Sequence, residues 1–238
     1  MKGIAESEEL LNMALDFQSE SHKARTSARD QYRKNESSKD NTLRIYLDGF
    51  IVKLAMRMIN NPTRFSDEKV SYQIGLSASF IRTYFLIGDL VMSGDYIEAA
   101  IIMRKQLESI ARMIEIDMYP LKKLYKRTPN VSNILDKIGK QLYPYLSEIA
   151  HAGTPDVAEL LSIQDIGELV GPSLYPTFNT YADKLYATNT LITISFIRWY
   201  IDKLKALYSD YDPYDDLLIF TKIVKLAVDL DIIKIMEP

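Results

Sequence analysis

Apolar residues recur every three or four positions along most of this chain, the period of an amphipathic helix. Leu10, Leu11, Ala14 and Phe17 begin such a pattern. It then enters "QSESHKARTSARDQYRKNESSKD", which has almost no apolar face and reads as an exposed helix or a loose segment. Leu43, Leu47, Phe50, Ile51, Leu54 and Met58 restore the period along one side, and Asn60, Asn61 and Pro62 end it. Ser66 is the expected N-cap of the next helix, with Asp67 and Glu68 in its first turn, where the helix dipole favours negative charge. That helix runs to about Met92.

Gly94 in "SGDY" suits a very short turn, because glycine takes positive φ without penalty. A second long helix follows from Tyr96 to Met118, and two helices joined this tightly lie antiparallel. "TPNVSN" opens another helix near Val131 that ends about Gly153, with Pro144 expected to kink or divide it. Residues 154–180 hold two glycines and three prolines and are the least helical part, with room for a short helix and a small β-hairpin. Tyr181–Tyr208 is apolar on more than one side and reads as a central helix. Asp212 caps a last helix, with Pro213 at its first position and Asp215 and Asp216 in its first turn. The expected fold is all-α: one domain over residues 1–238, a bundle of six to eight helices whose first 40 residues are partly exposed.

The turn "GDYIEAA" resembles one tetratricopeptide unit, with Ala99 as the small packing residue. No second copy lies ~34 residues away, so an ordinary helical hairpin is expected instead of a repeat array. A formal net charge of −3 gives no global attraction to nucleic acid or anionic membrane. The chain has no cysteine, which removes disulfides, thiolate metal sites and a thiol nucleophile. No window reaches ~18 uninterrupted apolar residues, and the opening residues lack an apolar run behind a basic start. A cytoplasmic location without a membrane partner is therefore expected.

Three polar patterns carry candidate chemistry. Arg25, Arg29 and Arg33 repeat at i, i+4, i+8 with His22 and Tyr32 adjacent, a stripe able to contact phosphates or simply a solvated face. "SDYDPYDD" is acidic, but helix capping accounts for Asp212, Asp215 and Asp216, and neither a metal nor a cofactor is expected. The third pattern pairs two stripes on mostly apolar helices. Arg104, Glu108 and Arg112 form one, and Tyr143, Ser147 and His151, with Glu148 beside them, form the other. A buried charge without a partner is very costly, so the stripes are expected to meet. As a catalytic set, His151 would act as general acid or base, an arginine would stabilise developing negative charge, and Glu108 or Glu148 would fix the imidazole. As a structural latch, Arg104, Glu108 and His151 would satisfy one another in a dry core, with Ser147 bonded back to a carbonyl. The phosphate-cradling loop, the dinucleotide fingerprint and the nucleophile elbow are all missing.

"RKQLESIARM" together with "YPYLSEIAHAG" resembles a family of uncharacterised bacterial helical proteins. In it, an Arg-x-x-x-Glu helix precedes a Tyr-x-x-x-Ser-Glu-x-x-His helix. The matching positions are Arg104 and Glu108, then Tyr143, Ser147, Glu148 and His151. That family is similar to the HEPN helical domains, many of them ribonucleases of toxin–antitoxin and phage-defence systems. The resemblance implies a four-helix core and dimerisation. HEPN enzymes carry Arg and His four to six residues apart on one helix, and here no arginine precedes His151 or His22 at that interval.

The expectation is thus a homodimeric, non-enzymatic helical interaction or regulatory protein. Sixteen tyrosines and a central helix bearing Trp199 and Tyr200 suggest exposed aromatic surface for a protein partner. A HEPN-like, metal-independent ribonuclease or nucleotide-binding protein is the alternative.

Overall fold

In the computed structural model, which describes residues 2–234 apart from 62, 65, 162, 167 and 168, the helical period predicted from sequence is realised almost throughout. Eight α-helices are present among the described residues. They are α1 (Lys2–Asn35), α2 (Ser38–Asn60), α3 (Glu68–Ser93), α4 (Tyr96–Met118), α5 (Val131–Ile134), α6 (Asp136–Ala150), α7 (Tyr181–Leu207) and α8 (Tyr214–Asp229). The protein is an all-α helical bundle. Between α6 and α7 lie a 3-10 turn, Pro155–Leu160, and the antiparallel strands β1 (Ile163–Ile166) and β2 (Leu169–Pro172).

The hairpin of α3 and α4 forms the centre. Gly94 ends α3 with φ +82°, and its N–H returns to Leu90 and Val91 carbonyls. Ala99 is fully buried where the two helices cross. Against this hairpin α7 buries more than one face, as its sequence requires: Leu185, Ile192, Phe196, Ile197, Tyr200 and Leu204 are all hidden. Phe80 of α3 stacks on Phe196 at 3.9 Å, and Tyr200 continues the stack at 5.1 Å. Tyr200 is thus buried and Trp199 half-buried, donating to Asp117, so this pair supplies core packing where exposed aromatic surface was expected. Among the described residues, α3 is the one helix long and apolar enough to cross a membrane, and it packs on α4, α1 and α7.

Several boundaries differ from expectation. The polar segment after Phe17 is a continuous part of the 34-residue α1, not a loose segment. The N-cap of α3 is Asp67, whose carboxylate accepts from Val70 N at 2.7 Å, and Ser66 lies outside the helix. Pro144 sits inside α6, and the expected division falls earlier, at Leu135–Asp136, where Asp136 has φ 44°. The break brings the two segments close: a Cβ at Gly139 would lie 2.4 Å from the Val131 carbonyl oxygen, so only glycine fits at that approach. Asp212 accepts from Tyr214 N at 3.0 Å, but Pro213 precedes α8 instead of opening it. Pro62, expected to help end α2, lies outside the described residues.

Candidate functional site

The two polar stripes meet, through part of their members. Arg104 on α4 faces α6, where Tyr143 and His151 stand two turns apart on one side. Arg104 Nη1 lies 3.1 Å from His151 Nε2, and Nη2 lies 3.3 Å from both the Tyr143 hydroxyl and Glu108 Oε1. The Tyr143 hydroxyl donates to Glu108 Oε1 at 2.8 Å, and the guanidinium also sits 5.3 Å from the Tyr143 ring centroid. Arginine only donates, so His151 Nε2 is the acceptor wherever this contact is a hydrogen bond.

The setting is not the dry core expected for a latch. His151 is exposed, as the residue that ends α6. Arg104 and Glu108 keep about a quarter of their side-chain surface in solvent, at 23% and 26%. The set closes the rim of the α4–α6 interface, whose apolar interior is Leu107, Ile110, Leu146 and Ile149.

Three expected members lie elsewhere. Arg112 is buried one turn below, donating to the Leu124 and Arg127 carbonyls and pairing with Glu115 at 3.1 Å. Glu115 in turn accepts from Asn130 N, so this pair ties the chain after α4 back to that helix. Glu148 points away from Arg104 and lines a groove between α6 and α7 with Tyr145, Tyr181 and Lys184. Ser147 Oγ is hidden from solvent and has no hydrogen-bond partner among the described residues, so it does not bond back to a carbonyl.

The basic stripe is largely spent on the fold. Arg25 makes a two-pronged contact with Asp95, at 2.9 and 3.0 Å, and Arg29 donates to Ser93 Oγ at 2.8 Å. Both hold α1 against the α3–α4 turn. Arg33 and His22 remain exposed, so of the stripe read as either a phosphate contact or a solvated face only these two groups are free of the fold's own contacts. The acidic cluster is likewise structural: Asp216 is buried, paired with Lys53 at 2.5 Å and accepting from Tyr211 at 2.6 Å.

A second polar group went unread in the sequence. It surrounds a cavity of about 230 Å³ between α1, α2, α3 and α7. Arg44 and Asp48 enter it from α2, Tyr32 from α1, Tyr84 from α3, and Tyr186 and Asn189 from α7. The Arg44 guanidinium is clamped by Glu36 at 2.7 and 2.8 Å and by Asn41 at 2.8 Å, which holds its charge even more firmly than usual. Asp48 accepts from the Tyr84 hydroxyl at 2.7 Å, and burial lifts its carboxyl above the usual range against that hydrogen bond. Burial, first of all, pushes the Tyr32, Tyr84 and Tyr186 hydroxyls well up. The available signal was the Arg44–Asp48 pair at i, i+4 beside the apolar stripe Leu43–Leu47–Phe50.

Comparison with protein-family models, with curated proteins and with solved structures finds no match to this chain.

Proposed function

We propose that this chain is a non-enzymatic helical interaction protein of regulatory type that pairs with a second copy of itself through the first half of α1. One observation carries the reading. Leu10, Leu11, Met13, Leu15 and Phe17 stand 44–63% exposed, whereas the second half of the same helix is anchored through Ala28, Arg25 and Arg29. Leu10, Met13 and Phe17 repeat at i, i+3, i+7, a seam one helix presents to another. A helical segment of this length is marginal in water without tertiary cover, and adjacent apolar side chains of this size mark a contact surface. A second copy presents the same stripe, and a two-fold contact is self-complementary. Glu8 and Glu9 at one end and His22 and Lys23 at the other favour an antiparallel arrangement.

The Arg104 set supports the non-enzymatic part. Its guanidinium already answers Glu108, Tyr143 and His151 of its own chain, so it serves to keep α6 in register on α4. A cytoplasmic location belongs to the same reading. Light scattering on the full chain tests it: a two-chain mass is expected for the wild type and a one-chain mass for Leu10→Glu/Met13→Glu, with unchanged helical circular dichroism. A monomeric wild type at micromolar concentration overturns self-pairing.

A HEPN-like, metal-independent ribonuclease or nucleotide-binding role is favoured by one fact: His151 is solvent-accessible with an arginine nitrogen 3.1 Å away. RNA cleavage that disappears in His151→Ala while thermal stability is kept would establish it over the first reading.

A further inference from the structure

We propose that the cavity between α1, α2, α3 and α7 is a binding site for a small organic cation, a protonated amine or amidinium on an apolar body. The polar groups around the cavity are unevenly committed. Three of its donor groups are used: Arg44 on Glu36 and Asn41, the Tyr84 hydroxyl on Asp48, and the Tyr186 hydroxyl on the Asp40 carbonyl. Its acceptors are not. Asp48 Oδ2 is ion-paired with Arg44 Nη1 at 3.9 Å, beyond hydrogen-bond distance, and accepts no hydrogen bond among the described residues. Asn189 lines the cavity at 8% exposure, and its Oδ1 has no partner among the described residues. Because Glu36 already neutralises Arg44, Asp48 and the rim residue Asp89 leave the lining net negative.

The walls suit a cation as well. Tyr32, Tyr84, Phe85 and Tyr186 present aromatic surface, which attracts a cation through the ring faces. The space is smaller than the ~300–1,000 Å³ of a drug-sized site, so the occupant is a small molecule of one ring or a short chain. Gly88 lines the cavity, and a Cβ added there would meet no atom within 4 Å, so a larger residue at this point of α3 would extend into open space. Glycine is unfavourable in a helix interior. An anionic or acceptor-rich ligand would meet the wrong charge and leave Asp48 and Asn189 unanswered.

Isothermal titration of the full chain with phenethylammonium and with agmatine, against neutral 2-phenylethanol and anionic phenylacetate, tests the assignment. Saturable binding of at least one cation is expected, and none of the neutral or anionic analogue. Asp48→Asn should weaken the cation about tenfold or more, as loss of a charge-assisted contact does. Gly88→Leu, which fills the space on a residue type that favours helix, should abolish binding with helical circular dichroism retained. The proposal is overturned if neither cation saturates at millimolar concentration, if 2-phenylethanol binds as well as phenethylammonium, or if binding survives unchanged in either folded variant.

Discussion

Arg104 Nη1 lies 3.1 Å from His151 Nε2, joining the middle of α4 to the C-cap of α6 across 47 positions of sequence. The two partners contribute unequally. Arg104 also holds Tyr143 and Glu108 and is three-quarters buried, whereas the His151 side chain has this one polar contact among the described residues and is exposed. Arg104→Met should therefore cost about 1–3 kcal/mol, because Glu108 loses its counter-charge and keeps only the Tyr143 hydroxyl. His151→Ala should fall within about 0.5 kcal/mol of wild type. For a chain of this size each kcal/mol is roughly 2–4 °C in Tm, so calorimetry separates the two.

Tyr143 and Glu108 share the tighter bond of the set, at 2.8 Å. A double-mutant cycle of Tyr143→Phe and Glu108→Gln should return a coupling of about 0.5–1.5 kcal/mol. A coupling near zero would mean that Arg104 alone organises the rim.

Gly94 is the position where the backbone itself restricts the residue. Its φ is +82°, and an added Cβ would lie 2.7 Å from the Thr177 carbonyl oxygen, an atom of the backbone. Gly94→Ala should cost about 1–3 kcal/mol, visible as a lowered denaturation midpoint with unchanged m-value.

Arg25 and Asp95 connect α1 to the α3–α4 turn. Arg25→Ala should increase amide exchange along α1 while α3 and α4 keep their protection, since the hairpin core does not include this contact. Uniform loss of protection would contradict that division.

Alkaline pH should unfold the protein cooperatively. Burial raises the hydroxyls of Tyr32, Tyr84, Tyr186, Tyr200 and Tyr211 above their ordinary value. In the unfolded chain these groups ionise near ~10, so the native state holds protons that the unfolded state releases. The stability they contribute is complete below pH ~10 and is lost as pH rises above it. Tyrosinate absorbance from these residues should appear together with the loss of helical circular dichroism, not before it.

The helices were legible because each writes its own periodicity: one face must be apolar to be buried, and caps such as Gly94 must permit the turn. Pro144 shows the limit of that local logic. A proline inside a helix removes one donor, yet α6 continues through it, and the break comes where Gly139 packs on Val131. That the Arg104 and Tyr143–His151 stripes meet was likewise foreseeable, since polar groups on apolar helix faces need partners. Which of their members meet was not. Arg112 and Glu148 share the spacing of the true partners but face other neighbours, because helical period gives only the side a residue lies on, not what the fold brings to that side.

The cavity around Asp48 and Asn189 marks the same boundary more sharply. Tyr32, Arg44, Asp48, Tyr84, Tyr186 and Asn189 come from four helices, and no spacing within one helix shows that the four converge. Sequence by itself determined the secondary structure, the all-α class and the central place of α7, since each follows from short-range periodicity and burial. Tertiary structure alone decided which polar groups are satisfied and which are left facing a space, since hydrogen bonding and desolvation depend on neighbours distant in the chain.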